Sequence, residues 1–169
     1  MSGAVHQNAF SPKFQLRVMP MTEDICDMLD LRADIGDIAS AMAWLEIIGE
    51  RDQWPPRLSF SLALGLDEAL TNIVTYAFVD HPVVEPGIQL RVKSDGRQVS
   101  VQIVDNGVAF DPTKFPPAEL ATSLDDAEIG GHGMRLMLHY LDKIDYARIA
   151  DRNQLTLLAI LPPEPGPSA

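Results

Sequence analysis

Glu68 and Asn72 stand four residues apart in the stretch LDEALTNIVTYAF. On a helix that spacing sets a carboxylate beside a carboxamide. Ser61, Gly65 and Thr75 fall near the same line, and Gly65 leaves room for something to approach the backbone closely. Because the neighbours are so apolar, an unpartnered Glu68 buried among them costs roughly several kcal/mol. The residue types alone allow two readings. Either the pair is a site with something charged set against it, or it lies on a solvated strip.

Two further stretches combine polar groups with glycine. Asp105-Asn106-Gly107 follows an alternating apolar run, where Asn-Gly signals a tight turn. The residues after it, VAFDPTKFPP, do not alternate and carry three prolines, so no partner strand follows at once. The other reading makes Asp105 an acceptor at a strand end, with Gly107 letting a flat ligand lie against the main chain. Gly130-Gly131-His132-Gly133 precedes a helical pattern. Glycines at a helix start present unpaired amides at the positive end of the dipole, which suits phosphate. Neither the Walker pattern nor the dinucleotide fingerprint is present. A linker remains the alternative.

The elements that must hold these groups follow from periodicity. Ile35, Ile38, Ala41, Met42, Leu45 and Ile48 recur at helical spacing behind Asp34, a candidate N-cap, and predict a helix over 34–50. A Pro-Pro pair at 55 and 56 separates it from a second helix, on which Leu58, Leu62, Leu66, Ala69 and Ile73 trace one face. Phe60, Leu64, Val74 and Phe78 make the other side apolar too. That predicts a largely enclosed helix. Ile88, Leu90 and Val92, then Val99, Val101 and Ile103, alternate around turn residues 94–97 and predict a hairpin. Short strands are expected at 14–18 and 28–32, a helix at about 134–141, and closing strands at 144–149 and 155–161 separated by a turn at 151–154. The order implies an α+β, two-layer sandwich with helices on one face of a mixed sheet. Residues 1–13 and 162–169 read as flexible tails around one domain at 14–161.

Composition narrows the function. A net charge of -11 over 169 residues opposes binding to nucleic acid or an anionic membrane. No window reaches the roughly 20 apolar residues of a membrane span. The single Cys26 rules out an internal disulfide and fits a reducing compartment, so a cytoplasmic protein is expected.

Taken together, E-x-x-x-N on a helix, D-x-G-x-x-F-D-P after a strand and G-G-H-G opening a helix resemble the N, G1 and G2 boxes of the GHKL ATPase superfamily. The likeness is strongest to anti-sigma-factor serine kinases of the RsbW and SpoIIAB type. It spans about residues 28–161 and includes GGHGMRLM, LDKIDYAR and NQLTL. The resemblance implies the Bergerat fold, ATP and Mg2+. By it, Asn72 coordinates the metal, Asp105 accepts the adenine amino hydrogen, and Gly107 makes room for the ring with Phe110 nearby. Thr156 bonds near the base, Gly131, His132 and Gly133 offer amides to phosphate, and the residues between 111 and 129 form a lid. Glu68 becomes the base that deprotonates an incoming hydroxyl. The implied partners are a STAS-domain anti-anti-sigma protein, a sigma factor and a second copy in a homodimer.

Two departures stand out. Tyr76 occupies a position where many relatives have His, and Lys114 is the one cation of the lid. A non-catalytic, ATP-dependent binding module therefore stays open beside the kinase. A sensor histidine kinase would need a helical phospho-accepting domain that the residues ahead of 28 do not supply.

Overall fold

The computed structural model describes residues 26–79, 83, 85–114, 137 and 139–163. The strand expected at 14–18, most of the lid, and Gly131, His132 and Gly133 lie outside these residues. Strand β1 covers Cys26–Leu31, helix α1 Ile35–Arg51 and helix α2 Pro56–Tyr76. Strands β2 (Ile88–Ser94), β3 (Gln98–Asp105), β4 (Lys143–Ile149) and β5 (Arg152–Ile160) complete the sheet. Of the helix expected at 134–141, residues 137, 139 and 140 are described, and they are helical.

Asp34 caps α1 as its sequence position demands, its carboxylate accepting from the Gly36 amide at 2.8 Å. At the other end Arg51 forks to both oxygens of Asp27, at 2.9 and 2.7 Å, and also grips Asp52. The last turn of α1 is thereby clamped to the outermost strand. Pro56 then opens α2, where a missing amide hydrogen costs nothing.

The five strands lie in the order β1-β2-β3-β5-β4. Every pairing among the described residues is antiparallel, which corrects the mixed sheet expected from sequence. The cause is the pair of helices between β1 and β2. With two successive helices between the strands the chain reverses three times, so β2 enters against β1 and not alongside it. Alternation then turns Ile88, Leu90 and Val92, Val101 and Ile103, and Leu155 and Leu157 to one face, all of them buried. Leu58, Leu62, Leu66, Ala69 and Leu70 of α2 bury their stripe in the same core. Asp95 closes the β2–β3 turn by accepting from the amides of Arg97 and Gln98, beside Gly96 at φ +79°.

Two expectations about α2 are overturned. Phe60 and Tyr76 are 55% and 58% exposed, so the helix is enclosed on one side only. Gly65 does not receive a ligand: a β-carbon there would stand 2.9 Å from Leu141 Cδ1 and 3.0 Å from Leu157 Cδ1. Its missing side chain is filled by the core. Ser61 is likewise occupied, donating to the Arg57 carbonyl at 2.8 Å.

The last hairpin also differs from its expected form. The turn falls at Ala150 and Asp151, with φ of 47° and 60°, and not at 151–154. Two consecutive positive φ values make the two-residue connection that matches strand twist, a geometry that Asn-Gly adopts most easily. Arg152, Asn153 and Gln154 are consequently strand residues. Replacing Ala150 with Asn and Asp151 with Gly is expected to stabilise the protein by about 1 kcal/mol, because both residues leave a backbone conformation they disfavour. A thermal melt that rises by no more than experimental error would contradict this turn geometry.

Candidate functional site

The shifted turn decides what faces what. Across the sheet, Asp105 of β3 pairs with Asn153 of β5, and Asn153 pairs with Arg148 of β4. All three project to the helix-bearing face, where they form a polar row at the end of an otherwise apolar surface. Asp105 and Asn153 are 3% and 5% exposed. Thr156, three residues further along β5, has the opposite parity. It pairs with Gln102 and Asp145 on the outer face, whereas Asn153 faces Asp105.

Asp105 is held through one oxygen. Its Oδ1 accepts from the Gly107 amide and from Asn153 Nδ2, both at 2.8 Å. No donor reaches Oδ2 among the described residues. Burial pushes this carboxyl above the ordinary carboxylate range, against the opposing pull of the Asn153 and Gly107 hydrogen bonds and the Arg148 charge. The group is thus a desolvated acceptor with one oxygen spent.

Gly107 is needed here for a reason the sequence did not reveal. A β-carbon on it would lie 2.5 Å from Ala77 Cβ and 2.7 Å from the Ala77 carbonyl oxygen. The β-carbon position of Gly107 is taken by the end of α2. Val108 donates its amide to that same Ala77 carbonyl at 2.9 Å, so the chain after β3 is stitched to the helix terminus and does not turn back into a hairpin. Asn106 fixes the other side, accepting from the Gly87 amide and donating to the Glu85 carbonyl, each at 2.9 Å. Phe110 follows, 46% exposed.

Along α2 the remaining polar groups run away from this junction. Asn72 precedes Ala77 by about 7.5 Å of helix axis and Glu68 lies a further ~6 Å back. Both side chains are half-buried on the flank of the apolar stripe. Neither has a hydrogen-bond or ion-pair partner among the described residues. Leu141, which touches Gly65 less than one turn from Glu68, brings the helical stretch around 137–140 to this same flank. Lys114 pairs with Asp111 at 3.3 Å and is otherwise in solvent.

Among the described residues no three His, Cys, Asp or Glu side chains form a cluster able to hold a metal. A divalent cation at Asn72 would therefore need further oxygen ligands from a bound anion. A half-buried carboxamide with a free carbonyl oxygen fits that part.

Comparison with known proteins places this geometry in a family. The chain matches the histidine kinase-like ATPase domain over residues 31–159 and belongs to that family of ATP-binding domains. It is 45% identical over 139 residues to serine/threonine-protein kinase BtrW of Bordetella bronchiseptica, an alignment covering 82% of this chain and 96% of that protein. It also resembles in fold the crystal structure of the RsbU and RsbW domains of a Mycobacterium tuberculosis protein. There the TM-score is 0.52 at 13% identity, over 79% of this chain, and the match spans 32% of the larger chain.

Two outcomes follow from the geometry. Gly107→Ala is expected to cost about 1–3 kcal/mol, since the new methyl must displace backbone and not only a side-chain tip, and to weaken nucleotide binding with it. Ala77→Gly in that background removes the methyl clash but leaves the carbonyl at 2.7 Å, so denaturant titration should show partial rescue.

The second concerns pH. With its folded pKa raised, Asp105 holds a proton that the unfolded chain has already released, and the stability this contributes is lost as pH rises through the folded value. Asp105→Asn keeps both Oδ1 bonds and cannot ionise. Its stability relative to wild type should therefore increase as pH is raised through that window, and a difference independent of pH would refute the raised carboxyl.

Proposed function

We propose that this chain is an ATP-dependent serine/threonine protein kinase acting in the cytoplasm as an anti-sigma switch. Its substrate in this reading is a STAS-domain anti-anti-sigma protein, and its other partners are a sigma factor and a second copy of itself. One observation carries the proposal. Among the described residues Asp105 Oδ2, the carboxamide of Asn72 and the carboxylate of Glu68 have no hydrogen-bond partner; Asp105 sits where the end of β3 is stitched to the C-terminus of α2, and Asn72 and Glu68 lie successively further back along that helix. Base, phosphates and hydroxyl acceptor of a phosphoryl transfer must be arranged in that sequence. The kinase designation of BtrW, similar over nearly its whole length, supports the same reading.

Each residue has a task set by its chemistry. Asp105 Oδ2 accepts a hydrogen bond from the 6-amino group of adenine, while Gly107 and Val108 fix the approach of the loop beneath it. Phe110 borders the base. Asn72 offers its carbonyl oxygen to Mg2+, which when bound screens the phosphate charges. Gly131, His132 and Gly133 supply amides to the phosphates. Glu68 accepts the proton of the attacking serine or threonine hydroxyl.

A second reading keeps ATP binding and drops catalysis. It is favoured by Lys114, whose ammonium is engaged by Asp111 and not aimed at the site. Incubation of the protein with Mg2+, γ-labelled ATP and a STAS-domain substrate separates the two. Under the kinase reading Glu68→Gln should slow phosphotransfer by about 100- to 10,000-fold with nucleotide affinity nearly unchanged. Asn72→Ala should instead lose Mg2+-dependent affinity. Equal label transfer by Glu68→Gln and wild type removes Glu68 from the chemistry, and transfer by neither favours the binding module.

A further inference from the structure

Asn153 uses every hydrogen-bonding position its carboxamide has. Nδ2 donates to Asp105 Oδ1 and to the Val108 carbonyl, each at 2.8 Å. Oδ1 accepts from the Tyr146 hydroxyl at 2.7 Å and from Arg148 Nη1 at 2.8 Å. The same Arg148 nitrogen reaches the Gly107 carbonyl at 2.9 Å. A carboxamide can be rotated so that oxygen and nitrogen exchange places, but here exchange would set oxygen against a carboxylate and a carbonyl, and NH2 against a cation. Its orientation is fixed from both sides.

This fixes Asp105 in turn. With Gly107 and Asn153 both on Oδ1, the carboxylate cannot rotate without breaking two bonds, and its plane is set. Oδ2 is left as a single acceptor in a desolvated position. An ionised carboxylate has no hydrogen to give, so whatever meets Oδ2 must donate. A ligand with an acceptor, or nothing, at that point leaves a buried charge unpaired.

We infer that Asn153, oriented by Tyr146 and Arg148, is a positioning residue that makes Asp105 selective for a purine carrying an amino group at position 6. The inference rests on the nucleotide reading above and goes beyond it by assigning base discrimination to three residues outside the motif that carries Asp105. Asn153 itself touches no base. It acts by deciding which carboxylate oxygen is free and where that oxygen points.

The test compares Mg2+-ADP with the diphosphate of purine riboside, in which hydrogen replaces the 6-amino group, by calorimetry on the full chain. Wild type should prefer ADP by at least about tenfold, the worth of one hydrogen bond to a charged group. Asn153→Asp preserves shape but removes both donors, and the preference should fall to about threefold or less. Arg148→Met, on the edge strand where loss of folding is less expected, should lower the ratio in the same direction and serves if Asn153→Asp does not fold. A purely structural contribution would weaken both nucleotides alike, so an unchanged ratio in a folded variant overturns the inference. Failure of wild type to bind either nucleotide would instead refute the nucleotide reading, and this inference with it.

Discussion

Keeping a carboxylate available inside the protein is the constraint around which this structure is arranged. Asp105 ends β3 where water is largely excluded, and burial alone would favour its neutral form. Opposing it are an amide from its own loop, a carboxamide from β5 and a guanidinium from β4, three contributions from three stretches of chain. The Gly107 amide is local to the loop, but the other two exist only once the sheet forms. The acceptor is therefore a product of the tertiary fold, and its ionisation reports on the register of strands that are far apart in sequence.

That register is narrowly specified. A slip of one residue between β3 and β5 would carry Asn153 to the outer face and set Arg152 or Gln154 opposite Asp105. The apolar row of Val101 against Leu157 and Ile103 against Leu155 enforces the correct pairing by burial, and the polar row at the sheet's end exploits it. The tight turn at Ala150 and Asp151 then brings Arg148 opposite Asn153. Two residues in an unfavoured backbone conformation next to a polar cluster are tolerated because the surrounding pairings over-determine them. The junction of Gly107 with Ala77 couples this end of the sheet to α2, so that the carboxylate and the helical polar groups keep one fixed relation.

Much of this was legible from the sequence, and the gaps have physical causes. Asp34 marked the start of α1, and alternation around 94–97 marked the β2–β3 hairpin, because caps and turns depend on local chemistry alone. Asp105, Asn72 and Glu68 stood out by type, spacing and order, and the fold sets Asp105 at the end of β3 and the other two on α2. That Asn153 faces Asp105 while Thr156 faces away was not legible, because strand parity depends on where the preceding turn sits. Ala150 and Asp151 carry no glycine or asparagine to announce positive φ. Gly65 and Gly107 have Leu141, Leu157 and Ala77 against their β-carbon positions, and a sequence cannot say which neighbour will press on a glycine. The apolar residues of α2 suggested enclosure, yet Phe60 and Tyr76 face outward, since large apolar side chains commonly remain on protein surfaces.

Charge explains how the two ends of the site divide their work. The chain carries a net charge of -11, and Glu68 adds a carboxylate close to where phosphates would lie. Among the described residues the cations nearest the site are Arg148, committed to Asn153 and Gly107, and Lys114, committed to Asp111. Side chains in this region therefore supply little attraction for a triphosphate. In the proposed kinase, backbone amides and a metal ion would provide it, because a carboxylate beside unscreened phosphate costs more as water is excluded. Affinity would then depend on the cation, and base preference on the buried carboxylate beside the C-terminal end of α2.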